Sequence, residues 1–166
     1  MAAPEDRIDV FLQPGEYFVA DDGFRIRTLL GSCVSVTLWH PATRRGGMSH
    51  FLLPTRGNAA PGDEPDGRYA DEALQLIVRE LAQAGVPLSQ CEAKVFGGGN
   101  MFPGYTSASN IPVGLRNGEA ARSLLAARGV PVVSESLYGH GHRQIIFDLA
   151  SGDVWSHQVR PTPQGT

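Results

Sequence analysis

Val34-Ser-Val-Thr-Leu-Trp39 changes character at every step, with Val34, Val36 and Leu38 on one face of an extended chain and Ser35 and Thr37 on the other. Cys33, just ahead of the run, falls on the hydroxyl-bearing face. A period of two is the mark of a strand, and this one sorts its apolar residues cleanly from its polar ones. Arg25 to Leu30, immediately before, is β-branched or apolar as well, and Gly31-Ser32 separates the two runs. His40-Pro41 to Gly46-Gly47 reads as a turn, and Met48 to Leu53 as another short strand that stops at Pro54.

On the N-terminal side, Phe11-Leu-Gln-Pro-Gly-Glu-Tyr-Phe-Val19 places aromatic and aliphatic residues on both sides of a Pro14-Gly15 turn signal, and Asp21-Asp-Gly23 turns the chain again. On the C-terminal side, residues 55 to 67 are polar and rich in Gly and Pro and are expected to form a loop. Helical spacing then begins. Ala70, Ala73, Leu74, Ile77 and Leu81 recur on one face from about Tyr69 to Ala84, with Asp71, Glu72, Gln75, Arg79 and Glu80 opposite, and Gly85 and Pro87 stop the helix.

Ala93-Lys-Val-Phe96 predicts a strand, followed by Gly97-Gly-Gly-Asn100. A second helix is expected to take Asn117 as its N-cap, bury Ala121, Leu124 and Leu125, and end at Gly129, with a strand from Val130 to Glu135 after it. Gln144 to Leu149 and Val154 to Val159 form a hairpin pattern around Ala150-Ser-Gly-Asp153. Strands outnumber helices. The fold class is therefore mixed α/β (α+β), a mostly antiparallel sheet with helices packed on one side.

The chain has 166 residues, of which 42% are hydrophobic, enough for one domain with its own core. That domain is expected to span 1–166, with its core from about residue 10 to 160 and a Pro-, Gln- and Gly-rich tail that frays. Net charge is −3, and thirteen arginines and the single lysine, Lys94, are scattered, which argues against nucleic acid as a partner. Two cysteines, Cys33 and Cys91, make no disulfide framework and fit a reducing cytoplasm. No stretch reaches the roughly 18 apolar residues of a membrane span, and Met1 to Arg7 lacks a signal-peptide core.

Cys33 has two readings: a small packed hydrophobe, or a nucleophile whose Gly31-Ser32 approach lets backbone amides near an acyl oxyanion. Its place on the face of Ser35 and Thr37 favours the second. His50, after Gly46-Gly-Met-Ser49, is either a satisfied interior histidine or the imidazole that takes the thiol proton, provided the strands bracketing Pro41 are neighbours. His140-Gly-His142, with His157, suggests a metal only weakly, because no third ligand stands at a characteristic spacing. Gly97 to Asn100 lacks the Gly-Lys-Ser/Thr ending of a phosphate loop, and a close backbone approach or a plain turn explains its glycines better.

Thr28-Leu-Leu-Gly-Ser-Cys-Val-Ser-Val36, Gly46-Gly-Met-Ser-His-Phe-Leu-Leu-Pro54, Arg68-Tyr-Ala-Asp71 and Lys94-Val-Phe-Gly-Gly-Gly-Asn-Met-Phe102 together resemble the CheD family, chemoreceptor glutamine deamidases of bacterial and archaeal chemotaxis. Leu12 to Glu16, Arg116-Asn117 and Gly141-His-Arg143 also fit, in the same order. The resemblance implies a sandwich similar to toxin deamidases of the cytotoxic necrotising factor type. It also implies hydrolysis of glutamine side-chain amides on methyl-accepting chemotaxis receptors, with Cys33 as nucleophile, His50 as base and no cofactor.

A threonine a few residues before the cysteine completes the family's site. Thr28, five residues ahead, takes that role; if the position lies six ahead, Arg27 occupies it, and Thr28 by local adjustment or Ser32 must serve. Ser109 to Asn117 and Ser134 to Gly139 depart from the family's pattern, which could shift substrate preference. The resemblance implies a second possible role as well, docking on a CheC-type phosphatase through the second helix or the loop at residues 97 to 105. Cys91 carries no functional expectation.

Overall fold

The computed structural model describes residues 6–101 and 111–159. Nine strands, β1 (Ile8–Leu12), β2 (Tyr17–Ala20), β3 (Phe24–Leu30), β4 (Val34–His40), β5 (Arg45–Ser49), β6 (Glu92–Gly97), β7 (Val132–Leu137), β8 (His142–Asp148) and β9 (Val154–Val159), and two helices, α1 (Ala70–Gln83) and α2 (Val113–Ala127), make up the described regular structure, with a short 3-10 turn at Leu88–Gln90. The strands form a four-stranded sheet in the order β1-β3-β8-β9 and a five-stranded sheet in the order β2-β5-β4-β6-β7. Pairing is antiparallel except at β1–β3 and β6–β7. The β6–β7 pair is joined through α2, the long connection that parallel neighbours require.

Each sheet must bury a face, and the alternation in β4 shows how. Val34, Val36 and Leu38 enter a core with Ala73, Leu74, Ile77 and Leu81 of α1 and Ala121 and Leu125 of α2. The opposite face of the five-stranded sheet, represented by Met48 and Phe96, packs on Leu12, Ile26, Leu30, Ile145 and Phe147 of the four-stranded sheet. The result is a sandwich of two sheets with both helices on one outer side. Ser35 and Thr37 are buried in it even though they are polar, because β4 is central and covered on both faces.

Both helices stop by the same device. After α1, the Val86 and Gly85 amides donate to the Leu81 and Ala82 carbonyls, and after α2, those of Val130 and Gly129 donate to Leu125 and Ala126. Gly85 and Gly129 take φ of +80° and +70°, and the valine that follows each is buried beside its partner leucine. This is the Schellman arrangement with its hydrophobic contact, and it aims the chain back into the core.

Three expectations need correction. The strand expected from Met48 to Leu53 is β5, and it begins and ends earlier: Gly46 and Gly47, read as part of a turn, lie inside it, while Phe51 and Leu53 make only isolated bridges beyond it. They are there because the strands approach closely; a Cβ on Gly46 would fall 2.1 Å from the Leu38 carbonyl oxygen. The reversal itself is made before them, with Arg44 at φ 57°. Secondly, α2 begins four residues before Asn117, after Pro112, so Asn117 is not its N-cap. Lastly, the strand expected from Val130 starts at Val132 because the two residues before it complete the helix stop and the turn into β7. The expected tail beyond Arg160, residues 102 to 105 of the suggested docking loop and Ser109-Asn110 of the divergent segment lie outside the described residues. Among the described residues no helix is long and apolar enough to cross a membrane.

The two kinds of glycine can be told apart by substitution. Gly46→Ala forces a methyl group against the β4 backbone and is expected to cost about 3 kcal/mol. Gly57→Ala, in open space at φ +84°, is expected to cost only about 1 kcal/mol of backbone strain. Urea unfolding of the two variants beside the parent measures the difference.

Candidate active site

His50 follows β5 directly and is held by its own backbone. Its amide donates to the Glu16 carbonyl at 3.1 Å, and its carbonyl accepts from the Gly15 amide at 2.7 Å. The Pro14-Gly15 signal therefore marks the turn that fixes this histidine, with Gly15 at φ +87°. Thr37 lies opposite Met48 and Val34 opposite Phe51, so β4 and the β5 segment keep one register through this stretch. That register sets His50 across from Ser35 and diagonal to Cys33. Diagonal neighbours on one sheet face stand about 7–8 Å apart, within reach of side chains of this length.

Face assignment agrees from both sides. Val34 and Phe51 belong to the core under the helices, whereas Met48, two residues before His50, lies between the sheets. Cys33 packs, half-buried, against the same inter-sheet core.

The other sheet supplies Thr28. Ile26, Thr28 and Leu30 all point inward from β3, and the Thr28 hydroxyl lies 2.7 Å from His50 Nδ1. It also donates to the Leu12 carbonyl at 2.9 Å. A hydroxyl has one hydrogen, and a carbonyl can only accept it. The Thr28 oxygen must then accept from Nδ1–H, which fixes the tautomer and leaves the lone pair on Nε2. Arg27 and Ser32, the neighbouring alternatives for this role, make no such contact among the bonds of the described residues; Arg27 pairs with Asp9 at 3.2 Å.

Burial sets the charge states. His50 is 2% exposed, and desolvation pushes its pKa down to about 4, against a smaller opposing pull from the Glu16 carboxylate. Burial pushes the Cys33 thiol up. Near neutral pH the pair rests as thiol and neutral imidazole rather than as an ion pair.

The glycine loop after β6 braces this segment. The Gly98 amide donates to the Cys33 carbonyl at 2.9 Å and the Gly99 amide to Gly31 at 3.0 Å. A Cβ on Gly97 would fall 2.3 Å from the Cys33 oxygen, and Gly97 takes φ +115°. The close approach expected of these glycines is what the fold contains, and the amides of Gly98 and Gly99 are committed to protein carbonyls. Arg143 passes beneath, donating to the Gly97 carbonyl at 3.1 Å and to Tyr138 at 2.6 Å.

Asn117 lies inside α2 and not at its cap. It is fully buried, and its Nδ2 donates to the Ser32 carbonyl at 3.1 Å and the Leu52 carbonyl at 2.8 Å. A polar residue on a helix face otherwise made of Gly114, Gly118, Ala121 and Leu125 was the available signal. Cys91 lies in the helix-side core, its thiol pushed up to about 11 by burial. Among the described residues no group of three His, Cys, Asp or Glu side chains gathers as a metal site, and the trio of His140, His142 and His157 forms none.

A two-sheet sandwich with helices on one side makes this an α+β protein, and it holds a buried Thr28–His50 pair with a cysteine on the same sheet face as the histidine. The family described as "CheD chemotactic sensory transduction" matches residues 52–158. A probable chemoreceptor glutamine deamidase, CheD 2 of Albidiferax ferrireducens, is 63% identical over 161 residues, spanning 97% of this chain and 93% of the relative. CheD 3 of Dechloromonas aromatica, also a probable chemoreceptor glutamine deamidase, is 45% identical over 93% of this chain and 89% of the relative. The chain belongs to the CheD family. The solved structure of YlmD from Geobacillus stearothermophilus is a more distant likeness, at TM-score 0.47 and 15% identity over 75% of this chain and 51% of that one.

The histidine's charge state can be read from stability. An imidazole at about 4 when folded and near its ordinary 6.5 when unfolded takes up its proton first in the unfolded state. Its contribution is therefore full above about pH 6.5 and is lost as pH falls toward 4, by on the order of 2–3 kcal/mol. Urea unfolding between pH 7 and 4.5 is expected to show that loss in the parent and a flatter response in His50→Gln.

Proposed function

We propose that this chain is a cysteine-dependent protein-glutamine deamidase acting on methyl-accepting chemotaxis receptors, with Cys33 as nucleophile, His50 as general base and Thr28 as the residue that orients the imidazole. The observation that carries the reading is the Thr28–His50 hydrogen bond. It leaves a lone pair on Nε2, and the diagonal register of Cys33 on the same sheet face supports the thiol as its partner.

In the first half of the reaction, Cys33 Sγ attacks the glutamine carboxamide carbon while Nε2 takes the thiol proton. His50 then gives that proton to the departing nitrogen, so ammonia leaves and a thioester remains. In the second half, water attacks the thioester as Nε2 takes its proton, and the proton returns to the sulfur as the glutamate product is released. Protons, sulfur and imidazole end as they began. The chemistry draws on no cofactor, and the reading includes a cytoplasmic location, in keeping with a reduced Cys33 as nucleophile. Docking on a CheC-type phosphatase, the other role implied by the family, has no feature among the described residues that favours it over catalysis.

Incubation with a receptor cytoplasmic fragment, read as glutamine-to-glutamate conversion by mass spectrometry, tests the assignment. Cys33→Ala and His50→Ala are expected to abolish conversion. Thr28→Val, which keeps the shape and removes the oxygen, is expected to lower kcat by about 10- to 100-fold. Conversion that persists in Cys33→Ala overturns the thiol mechanism.

A further inference from the structure

The residue that joins the cysteine's loop to the histidine's strand belongs to neither. Asn117 reaches in from α2 and gives one amide hydrogen to the carbonyl of Ser32, the residue before Cys33, and the other to the carbonyl of Leu52, two residues after His50. Both donors of Nδ2 are thereby used.

The reach is short, and the helix is built to make it possible. Gly114, Asn117, Gly118 and Ala121 recur at helical spacing on the buried face. A Cβ on Gly114 would fall 2.5 Å from the Gly98 carbonyl oxygen, and one on Gly118 would fall 2.6 Å from the Tyr138 ring. Small residues therefore let the helix backbone settle onto the glycine loop and the start of the connection after β7. A larger residue at either position would move the helix out of range.

A tie made only for stability would read differently. Among the described residues Asn117 Oδ1 is buried without a partner, so the side chain carries an unsatisfied acceptor in order to present two donors. A buried acceptor left bare is unfavourable, and a helix position facing the core with no other duty is better filled by an apolar residue. Asp cannot give two hydrogens, Ser gives one from a shorter stem, and Gln would carry its amide one methylene past the 2.8–3.1 Å contacts that Asn117 makes. The side chain that fits is the one that clamps two particular carbonyls.

We propose that Asn117 is a positioning residue for the deamidation reaction, fixing the distance between the Cys33 loop and the His50 strand so that sulfur and imidazole meet. The inference rests on the Cys33–His50 reading above. Losing the clamp frees the Gly31-Ser32 approach on one side and the chain after His50 on the other, while both reacting side chains stay in place chemically. The effect falls on the chemical step, because a misplacement of about 1 Å between reacting groups can cost about 100-fold in rate.

The test compares Asn117→Leu and Asn117→Ser with Leu125→Ala and Cys33→Ala in the receptor-fragment assay. Leu125 is buried in the helix-side core two turns further along the same helix, and its truncation supplies a destabilised control. Asn117→Leu is expected to lower kcat by about 10- to 100-fold with KM within about threefold, and Asn117→Ser, keeping one donor, to fall between it and the parent. Leu125→Ala is expected to lose as much in Tm and keep kcat within about twofold. Should Asn117→Leu not fold, Asn117→Ser carries the comparison. Unchanged kcat in the Asn117 variants beside an inactive Cys33→Ala overturns the clamp alone, and so does an equal loss of kcat in Leu125→Ala. An active Cys33→Ala overturns the catalytic reading and the clamp with it.

Discussion

The hydrogen bond from His50 to Thr28 crosses from the five-stranded sheet to the four-stranded one. It can form only if the two sheets stack at one particular offset, so much of the fold can be understood as what holds that offset. Met48 and Phe96 on one side and Ile26, Leu30, Ile145 and Phe147 on the other supply the packed surface. Leu12 does two jobs: its side chain joins this core and its carbonyl takes the Thr28 hydrogen. Because that hydrogen is spent on Leu12, the threonine presents only a lone pair to the imidazole. A backbone carbonyl at the end of β1 thus decides the tautomer of a histidine on the opposite sheet.

Around that bond the remaining elements act as braces, and most of them work by close approach rather than by charge. Gly97, Gly98 and Gly99 let one loop lie against the carbonyls of Gly31 and Cys33, and Gly114 lets α2 lie against that loop in turn. Gly15 lets the β1–β2 turn hydrogen-bond both sides of His50. Ion pairs lie elsewhere, at Arg7 with Asp148, Arg25 and Arg27 with Asp9, Arg56 with Glu72 and Asp63, Arg68 with Asp66, and Arg122 with Glu119 and Glu135, and all but the Arg7–Asp148 pair are at least partly exposed. Such exposed pairs add little to stability and nothing to the geometry of the site.

The strands and helices were legible because their periods are clean: β4 alternates, and α1 shows its buried face at Ala70, Ala73, Leu74, Ile77 and Leu81 as the spacing predicts. The sorting of β4 also predicted which face would carry Cys33. What could not be read was how two sheets would stack, since alternation tells a residue which way to point but not what it will meet. Thr28 is the instructive example. Counting back from Cys33 left Arg27, Thr28 and Ser32 open, and inward parity on β3 with the contact to His50 selects Thr28 in space. Asn117 failed for the opposite reason: Asn is a good N-cap, and that local preference masked a helix already begun after Pro112. Gly46 and Gly47 misled in the same way, since a glycine pair signals a turn locally and a close strand contact only once the neighbour is known.

Burial that fixes geometry also fixes the starting charges, and the two act together. With His50 pushed down to about 4 and Cys33 pushed up, the resting thiol and imidazole carry no charge of their own. A preformed thiolate–imidazolium pair would have to be stabilised there against desolvation, and only Glu16 raises the histidine's pKa. On the proposed chemistry, the proton therefore moves from sulfur to Nε2 as the carbon–sulfur bond forms, and charge appears only when the substrate amide is there to receive it. Thr28 gains importance at that moment, because an imidazolium held by a hydroxyl oxygen with its own hydrogen directed to Leu12 is better stabilised than a free one. A site organised in this way keeps its thiol protonated between encounters, and its reactivity is tied to a side chain that fits between Cys33 and His50.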